Sequence, residues 1–587
     1  MSSIQFDSQP ATEEVNELAR QLHLSPVLAT LLYRRGHRDV EAARKWLDAD
    51  LSQLEDPAQF HDMPKAVQRI RKALYGNERI MIHGDYDVDG LTATVLLLNF
   101  FRMIGADVDP YIPSREEGYS IGESSVRRIL ERKYDVVISV DNGTAAIDEV
   151  RSLQEAGVDV IVTDHHHTGP VIAPACAVLN PRLEDSGYPF PHLAGVGVAF
   201  KLACAITESL SKDRKLSNEL QSFLIDAASL VALGSIADVV PLVGENRAMV
   251  RVGLKALLES RSPGMRALVD VLGASARNLR AEDVSFRIGP RLNAAGRMGH
   301  AKLAVQLLTA DSYGEARKLA SRLEKLNSQR QQVEADLFIK ARDQLLADPE
   351  TPNRRVLLAH GEGWHLGVLG IVAARISEDF RKPALILSDQ EGRSRGSGRS
   401  YGRIDLKSVL DAASAPVTRY GGHAFAVGLE IASARLPELQ QLLDQHSQKL
   451  PNLGPHLVSV DAEAPLSHWS SSELRQLARF RPFGEGNEPP RFLARDVRIG
   501  SGLRRIGPSA RGLCFTAIQN GVALRALAPR LGARIEEFVK RPAAWQLVYS
   551  PRLAARAEHG AIELLVHAIE RVVQEAGEEP PSQGDKA

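Results

Sequence analysis

The chain has 587 residues, with 72 Lys and Arg against 73 Asp and Glu, so it is almost neutral. An apolar fraction of 44% and a charged fraction of 25% exclude a mostly disordered chain, and the length predicts roughly three to five domains. The balance of charge lacks the basic footprint of a nucleic-acid binder.

The three cysteines, Cys176, Cys204 and Cys514, have no paired or metal-binding spacing, which suits a reducing cytoplasm. The first residues, MSSIQFDSQP, lack a signal-peptide pattern, and apolar runs such as Thr94 to Phe101 are too short to span a bilayer. In chain order, ERIMIHG, DVVISVDNG, DVIVTDHH and ACAVLNP each read as a buried strand of about five residues. Helical patterns lie between them, over Leu91 to Met103, Glu123 to Arg132 and Ala145 to Ala156. That alternation predicts an α/β fold, with a parallel sheet covered by helices. A mostly helical stretch follows from Leu193 to Leu233, with a polar interruption around Ser211 to Asn218.

From Glu315 to Leu346 there is neither Pro nor Gly, and apolar residues fall at Leu319, Leu323, Leu326, Val333 and Leu337. This spacing predicts one long helix with a narrow apolar stripe, suited to connecting two domains. A second α/β unit follows, with strands near Arg355 to Ala359 and Pro383 to Leu387, and Pro451 to Pro455 marks a linker. From about Val458 to Ile569, LCFTAIQ, VALRALA, AWQLVYS and IELLVHAI are separated by Gly, Pro and Arg, which predicts a small all-β domain, sandwich or barrel. Glu575 to Ala587 has the composition of a disordered tail.

The chemistry concentrates where the apolar runs stop. H-G-D-Y-D-V-D-G supplies His83, Asp85, Asp87 and Asp89, and S-V-D-N-G supplies Asp141. A third run ends in Asp164, His165, His166 and His167, and Asp238 follows the helical stretch. In an open parallel sheet these strand ends line one crevice. Carboxylates converging there repel one another unless cations neutralise them. Mixed carboxylate and imidazole ligands suit Mn²⁺ or another borderline ion, and their number exceeds the needs of one. Two ions about 3.5–4 Å apart would share a carboxylate and activate a water for attack on phosphorus. An EF-hand is disfavoured, because no Glu stands at the twelfth position and the loop follows a strand.

These motifs resemble the DHH phosphoesterase superfamily and, within it, the RecJ single-strand exonucleases. Besides Asp164-His165-His166, the resemblance rests on N-P-R, L-A-G-V-G-V-A-F-K-L, G-P-R-L-N-A-A-G-R-M, G-S-G-R-S, G-G-H-A-F-A-V-G and R-P-F-G-E-G-N-E-P-P-R-F, and covers about residues 40 to 570. His167 extends the signature, and Glu488-Pro489 inverts the more usual order. The resemblance implies an N-terminal helical segment (1–45), a DHH domain (46–312), a connecting helix (313–348), a DHH-associated domain (349–452), an OB-fold β-barrel (453–572) and a tail (573–587). It further implies that His83, Asp87 and Asp141 hold one Mn²⁺ or Mg²⁺ ion. Asp89, Asp141, His165 and Asp238 hold the other, with Asp141 bridging. Asp85 would orient a ligand or the loop. Asp164 would position the histidines after it, and His166 would donate to the substrate phosphate. Gly84 and Gly90 would permit a tight strand-to-helix turn, whose helix presents its N-terminus to the anionic site.

Phosphate contacts are expected in the second α/β unit, where Arg393 to Arg403 holds four Arg, three Gly and no acid. Ser397, Arg399 and His423 are the candidates there, joined by Arg115, Arg291 and Arg297 from the first unit. Trp364 and His365 either stack or pack, with packing preferred. Between Arg491 and Arg556 the chain carries thirteen basic residues and three acids, a local net charge of +10. With few aromatics (Phe492, Phe515, Phe538, Trp545 and Tyr549), strand binding there should rest on backbone electrostatics. The resemblance implies a cytoplasmic, monomeric 5′→3′ single-stranded-DNA exonuclease of DNA repair and recombination. Single-strand binding protein and a recombination helicase are its expected partners. The alternatives are a DHH phosphodiesterase or pyrophosphatase for small substrates, and a non-catalytic scaffold.

Overall fold

The computed structural model describes residues 3–6, 12–114, 117–118, 120–167, 169–211, 218–273, 279–448, 450, 457–507, 510–540, 544–554 and 562–572. Arg115 and the tail over 573–587 lie outside the described residues. The chain forms two compact units, Leu51–Leu453 and Met1–Asp50 with Gly454–Ala587.

The N-terminal stretch contributes β1 (Ser3–Gln5), α1 (Glu13–Leu22), α2 (Pro26–Arg34) and α3 (Val40–Leu47). Each helix starts on a side-chain cap, Thr12, Ser25 or Asp39, that accepts a bond from the third helical amide.

The larger unit opens with α4 (Met63–Gly76), then β2 (Ile80–His83), α5 (Val88–Met103), β3 (Val108–Tyr111), α6 (Glu123–Glu131), β4 (Val136–Val140), α7 (Ile147–Glu155), β5 (Asp159–Thr163) and β6 (Ala177–Leu179). The strands form a parallel sheet in the order β3-β2-β4-β5-β6. Alternate residues serve opposite faces, as the pleat requires. Ile80, Ile82, Val136, Ile138 and Ile161 pack towards α5, whereas Met81, Val137, Val160 and Val162 pack with Ile129 of α6 and with Val150 and Leu153 of α7. From β2 the chain runs to β3 on one side and later to β4 on the other, so the carboxyl ends of β2 and β4 flank the switch point of the sheet. The edge strand β3, V-D-P-Y, has no apolar run to reveal it, and Pro110 is tolerated because the strand lies at an edge.

The helical layer consists of α8 (Gly195–Ser211), α9 (Asn218–Ala237), α10 (Gly244–Glu259), α11 (Pro263–Asp270), α12 (Ala281–Asp283), α13 (Gly289–Arg297) and α14 (Lys302–Leu308). The expectation that apolar runs are too short for a bilayer fails for α9, whose Glu219–Ala237 stretch has the length and hydropathy of a span. Here α9 packs against α5, α8 and α10, with Ala228, Val231, Ala232 and Leu233 inaccessible. Its apolar character serves a core.

The connecting helix α15 runs over Tyr313–Ala347. Ala316, Leu319, Ala320 and Leu323 belong to the first core; Leu337, Ala341 and Leu345 belong to that of the second α/β unit. That second unit comprises β7 (Leu357–Glu362), α16 (Leu369–Phe380), β8 (Ala384–Gln390), β9 (Arg393–Arg399), α17 (Leu406–Ala412), β10 (Val417–His423), β11 (Ala426–Ala432) and α18 (Leu436–Ser447). Its sheet has the order β10-β11-β9-β8-β7, parallel only between β7 and β8.

The remaining elements are β12 (Leu457–Ser459), β13 (Ala462–Glu463), α19 (Ser471–Ala478), β14 (Phe492–Ile499), β15 (Arg504–Ile506), β16 (Gly512–Gln519), β17 (Val522–Ala528), α20 (Ile535–Lys540), β18 (Trp545–Leu553) and β19 (Ile562–Arg571). Because β14 pairs with both β18 and β16, the strands β14-β18-β19-β17-β16 close into a barrel. The N-terminal helices share this barrel's core, Leu18, Leu28, Leu31 and Leu47 clustering with Phe480, Phe492 and Trp545, and β1 pairs with β12.

Candidate metal centre and nucleic-acid interface

Three carboxyl strand ends and one helix end deliver the site. His83 ends β2, Asp141 follows β4, Asp164 to His166 follow β5, and Asp238 directly follows α9. Asp87 caps α5, accepting from Gly90 N at 3.1 Å. Asp89 lies in the first turn of that helix and is held from outside it: Gly195 N and Val196 N, at the start of α8, donate to its two oxygens at 2.7 and 2.8 Å. Those amides are unpaired within their own helix and carry its positive end. Asp141 adopts φ +62°, a left-handed conformation that Asp tolerates and that turns the chain sharply after β4.

The side chains meet in overlapping triples. Ligand atoms of Asp89, His165 and Asp238 lie within 4.8 Å of one another, as do those of Asp85, Asp87 and Asp141, and of Asp141, His165 and His166. The Nε2 of His165 lies 3.0 Å from Asp141 Oδ1 and 3.6 Å from oxygens of Asp89 and Asp238, yet neither of its ring nitrogens makes a hydrogen bond. His83 is fully buried; its Nε2 lies 2.9 Å from Ser125 Oγ, and its Nδ1 has no partner. The expected ligand set has His83 with Asp87 and Asp141; the geometry groups Asp85 with that pair instead.

Without a cation this cluster is electrostatically frustrated. Burial and the charge of Asp87 push Asp89 up to about 7, and burial with Asp89 and Asp87 pushes Asp238 up to about 8. Burial and four neighbouring carboxylates raise Asp141 well above the ordinary range. Burial also drives His165 down to about 3 and His83 to about 4, so both are neutral and able to ligate. Buried imidazoles lacking partners, set among acids that resist ionising, fit divalent cations.

Asp164 stands apart from the cluster. It accepts from the amides of Thr144, His165 and His166 at 3.0, 2.7 and 3.1 Å, and its Oδ1 lies 2.8 Å from His166 Nδ1. Burial opposes its charge, but the His166 contact and the Thr144 amide outweigh burial and hold it below the usual range. The same pair works on His166: burial opposes its proton, yet Asp164, Asp238 and Asp87 raise it to about 9. His166 is therefore a cation at neutral pH, half-exposed at the rim of the cluster.

The phosphate candidates divide. Ser397, Gly428 and Gly421 share one row of the second sheet, and Arg399, Ala426 and His423 share another, so Ser397, Arg399 and His423 lie on one face. Arg399 is desolvated, which lowers its pKa, and its guanidinium donates to the carbonyl of Gly398 at 2.8 Å. His423 stands close enough to His167 to help depress its pKa, after burial, Arg182 and His166. His423 therefore lies near His167, at the end of the DHH loop. Arg291 is committed to Glu324 at 2.5 Å, and Arg297 donates to Gly367 O at 3.0 Å, bridging the two α/β lobes.

Several glycines act differently from the expectation. Two of the three in Arg393 to Arg403 lie in the strand β9: a Cβ on Gly396 would stand 2.2 Å from Ile386 O, and one on Gly398 2.3 Å from Leu385 Cδ2. Their bare faces are filled by protein, so the Arg and Ser side chains are what remains for a ligand. Gly84 and Gly90 keep negative φ and serve close approach, since a Cβ would lie 2.0 Å from Thr94 Oγ1 and 2.6 Å from Asp85 Cβ respectively. Gly195, whose amide no side-chain pattern could reveal, would drive a Cβ to 2.7 Å from that of Asp141. Trp364 packs in the second core, and His365 Nδ1 accepts from Gly367 N at 3.1 Å.

In the barrel, Phe492, Phe515, Phe538, Trp545 and Tyr549 are all buried in its core, leaving none of them to stack on bases. The +10 count is reduced by acids outside its window: Glu488 pairs with Arg491, Glu463 with Arg495, and Glu563 with Arg525 and Arg552. Arg498, Arg504 and Arg505 remain exposed on β14 and β15.

Comparison with known proteins covers the same three regions. Residues 79–235 match the DHH family N-terminal domain, 353–449 the DHHA1 domain and 460–568 the RecJ OB domain. The single-stranded-DNA-specific exonuclease RecJ of Haemophilus influenzae is 32% identical over 92% of this chain and 96% of its own length. The Bacillus subtilis RecJ is 34% identical over 85% of this chain, which spans 62% of that longer protein. Among solved structures, RecJ from Thermus thermophilus in complex with Mn²⁺ superposes with a TM-score of 0.81 at 32% identity, covering 97% of this chain and 79% of that one; the Mg²⁺ complex gives 0.74.

Proposed function

Since the chain belongs to the RecJ family of single-stranded-DNA-specific exonucleases, we propose that it hydrolyses single-stranded DNA from the 5′ end, releasing 5′-mononucleotides. The observation that carries this reading is the largely buried cluster of Asp85, Asp87, Asp89, Asp141, His165 and Asp238 at the switch point of the sheet, with a basic face on the second lobe that Arg297 joins to the first.

Asp89, Asp141, His165 and Asp238 would hold one Mn²⁺ or Mg²⁺ ion. Asp87 and Asp141 would hold the other, completed by Asp85 or by the unpaired Nδ1 of His83. When bound, such a pair of ions supplies a lowered water pKa and an electrophile for the phosphoryl oxygens. The chain's own residues do the rest. Asp141, between the two groups, fixes their spacing. Gly195 and Val196 lock the Asp89 carboxylate in place. His166, charged through Asp164, donates a hydrogen bond to the oxyanion that gains charge in the transition state. Ser397, Arg399 and His423 hold the phosphate of the terminal nucleotide, with Arg115 as a further backbone contact; Arg291 and Arg297, expected beside it, are engaged by Glu324 and by Gly367 O and would have to leave them to reach the strand. The barrel binds the strand through Arg side chains, with little base preference.

The closed barrel disfavours a small-substrate phosphodiesterase, which needs no such module, and the full ligand set disfavours a non-catalytic scaffold. Work in repair and recombination would place the protein in the cytoplasm beside single-strand binding protein and a helicase. The test is an end-label assay with Mn²⁺ on 5′- and 3′-labelled single and double strands, run beside dinucleotides. Early loss of the 5′ label from single strands only is expected, and Asp141→Ala should lower turnover by at least about 10³-fold. Preference for dinucleotides, or near-normal turnover in Asp141→Ala, would reject the proposal.

A further inference from the structure

A cavity of about 540 Å³ opens next to the metal motif, on the side away from the DHH loop. Its wall includes Tyr86, which sits between Asp85 and Asp87, and Tyr111, the last residue of the edge strand β3. Four cations stand around it: Arg128, Lys302, Arg322 and Lys325. Among the described residues its one lining acid is Glu117, already engaged, accepting from the Tyr111 hydroxyl at 2.8 Å and from Ser114 N at 2.7 Å. The acid nearest in sequence on α15, Glu324, is taken by Arg291. Lys302, Arg322 and Lys325 form no ion pair with another described residue, and Arg128 lies over the Tyr111 ring, 4.8 Å from its centroid. Cations gathered in a concavity repel one another, and an anion relieves that repulsion.

The sheet order sets where this cavity stands. The candidate ligands follow β2, β4 and β5, with His166 at the rim beyond β5; the cavity adjoins β3, on the other side of β2. The metal cluster therefore lies between His166 and the cation-lined cavity. At the usual strand spacing, β5 to β3 spans about 14 Å, more than one phosphate group covers. We propose that the cavity is a subsite for the phosphate backbone of the bound single strand, so that the strand crosses the carboxyl edge of the sheet from His166 over the metals to β3. Tyr86 and Tyr111 offer rings for a base to rest on. This subsite rests on the exonuclease reading and gives the strand its course.

The experiment uses the full chain with Arg322→Ala and Lys325→Ala combined. Both are exposed positions on α15, where Ala preserves the helix. Binding of a long 5′-phosphorylated oligothymidylate is measured without divalent ion over a series of salt concentrations. Losing two phosphate contacts should reduce the slope of log affinity against log salt by about 1.4, at roughly 0.7 per contact for a single strand. The Mn²⁺ binding isotherm should stay as in the wild type. An unchanged slope with an unchanged Kd overturns the subsite. So does a variant that loses only its inhibition by a 5′-mononucleotide, which would make the cavity a product site. A wild type that neither binds nor cuts single strands would instead reject the exonuclease reading, a result separable from normal wild-type cleavage with an insensitive variant.

Discussion

Asp141 shows how much one residue carries at this site. Its backbone turns at φ +62°, its carboxylate joins two ligand groups, and Gly195 presses against its Cβ position. The acids around it were legible in the sequence, because Asp and His at successive strand ends are chemical types that need a reason to converge. The clamp on Asp89 was not: it consists of the amides of Gly195 and Val196, and backbone donors leave no mark on side-chain pattern. Nor does spacing along one loop say whether His83 or Asp85 faces Asp87; only the turn geometry does. The crowding has a consequence for stability. In the metal-free protein Asp89 titrates at about 7 and Asp238 at about 8, against about 4 in an unfolded chain. The folded state then binds more protons than the unfolded one, so these groups cost stability as pH rises from about 4 to 8. Bound cations remove that cost. His165 and His83 are already neutral in the folded protein at both pH 5.5 and pH 8, so Mn²⁺ displaces no proton from them at either. The rise in Tm on adding Mn²⁺ should therefore be larger at pH 8 than at pH 5.5 in paired thermal scans. An equal or smaller rise at pH 8 would mean that the carboxylates are not the groups relieved.

At the scale of elements, α15 is the piece whose sequence reading carried furthest. A stretch without Pro or Gly and with a narrow apolar stripe became a helix of 35 residues whose halves belong to two cores. Between those halves the stripe turns polar: Arg330 donates to Glu334 and Asn327, and Arg375 of α16 also reaches Glu334, at 2.9 Å. The hairpin β10–β11 and the edge strand β3 escaped the same reading, since their residues are short, Gly-rich or Pro-containing, and only pairing across the sheet reveals them. Because the candidate metal ligands all come from one lobe and Arg399 and His423 from the other, α15 sets their separation. Ser328 is exposed between the two halves. Pro at that position removes a helical bond and clashes with the carbonyl of Glu324, costing about 3 kcal/mol. Ser328→Pro should retain Mn²⁺ affinity in calorimetric titration while kcat/KM on single strands falls by about 10²-fold, the effect of a small misplacement. Equal losses in metal affinity and turnover would show that the helix supports the metal lobe itself, not the spacing between lobes.

Over the whole molecule, the near-zero net charge is an average of unlike regions: a carboxylate cluster, a sheet face with Arg399, which forms no ion pair with another described residue, and a barrel whose basic surplus is partly met by Glu463, Glu488 and Glu563. Chain order hides a second fact. Residues 1–45 read as a separate helical segment, yet Leu18, Leu28, Leu31, Leu32 and Leu47 are buried in one core with the barrel more than 400 residues later. Local periodicity shows that these helices have an apolar face and cannot show what covers it. The dependence predicts how the protein can be cut. A chain ending at residue 453 keeps the helices and removes their cover, exposing five leucines worth about 1.5–3 kcal/mol each when buried. It should aggregate, as an uncovered apolar patch does. A chain of residues 51–453, which removes both parts of that core together, leaves the larger unit whole. It should be monomeric in light scattering, bind Mn²⁺ as the full chain does and still cut short strands. Without the barrel's Arg498, Arg504 and Arg505, it should hold long strands more weakly and with a shallower salt dependence. If residues 1–453 proved as soluble as 51–453, the shared core would not be what holds the N-terminal helices.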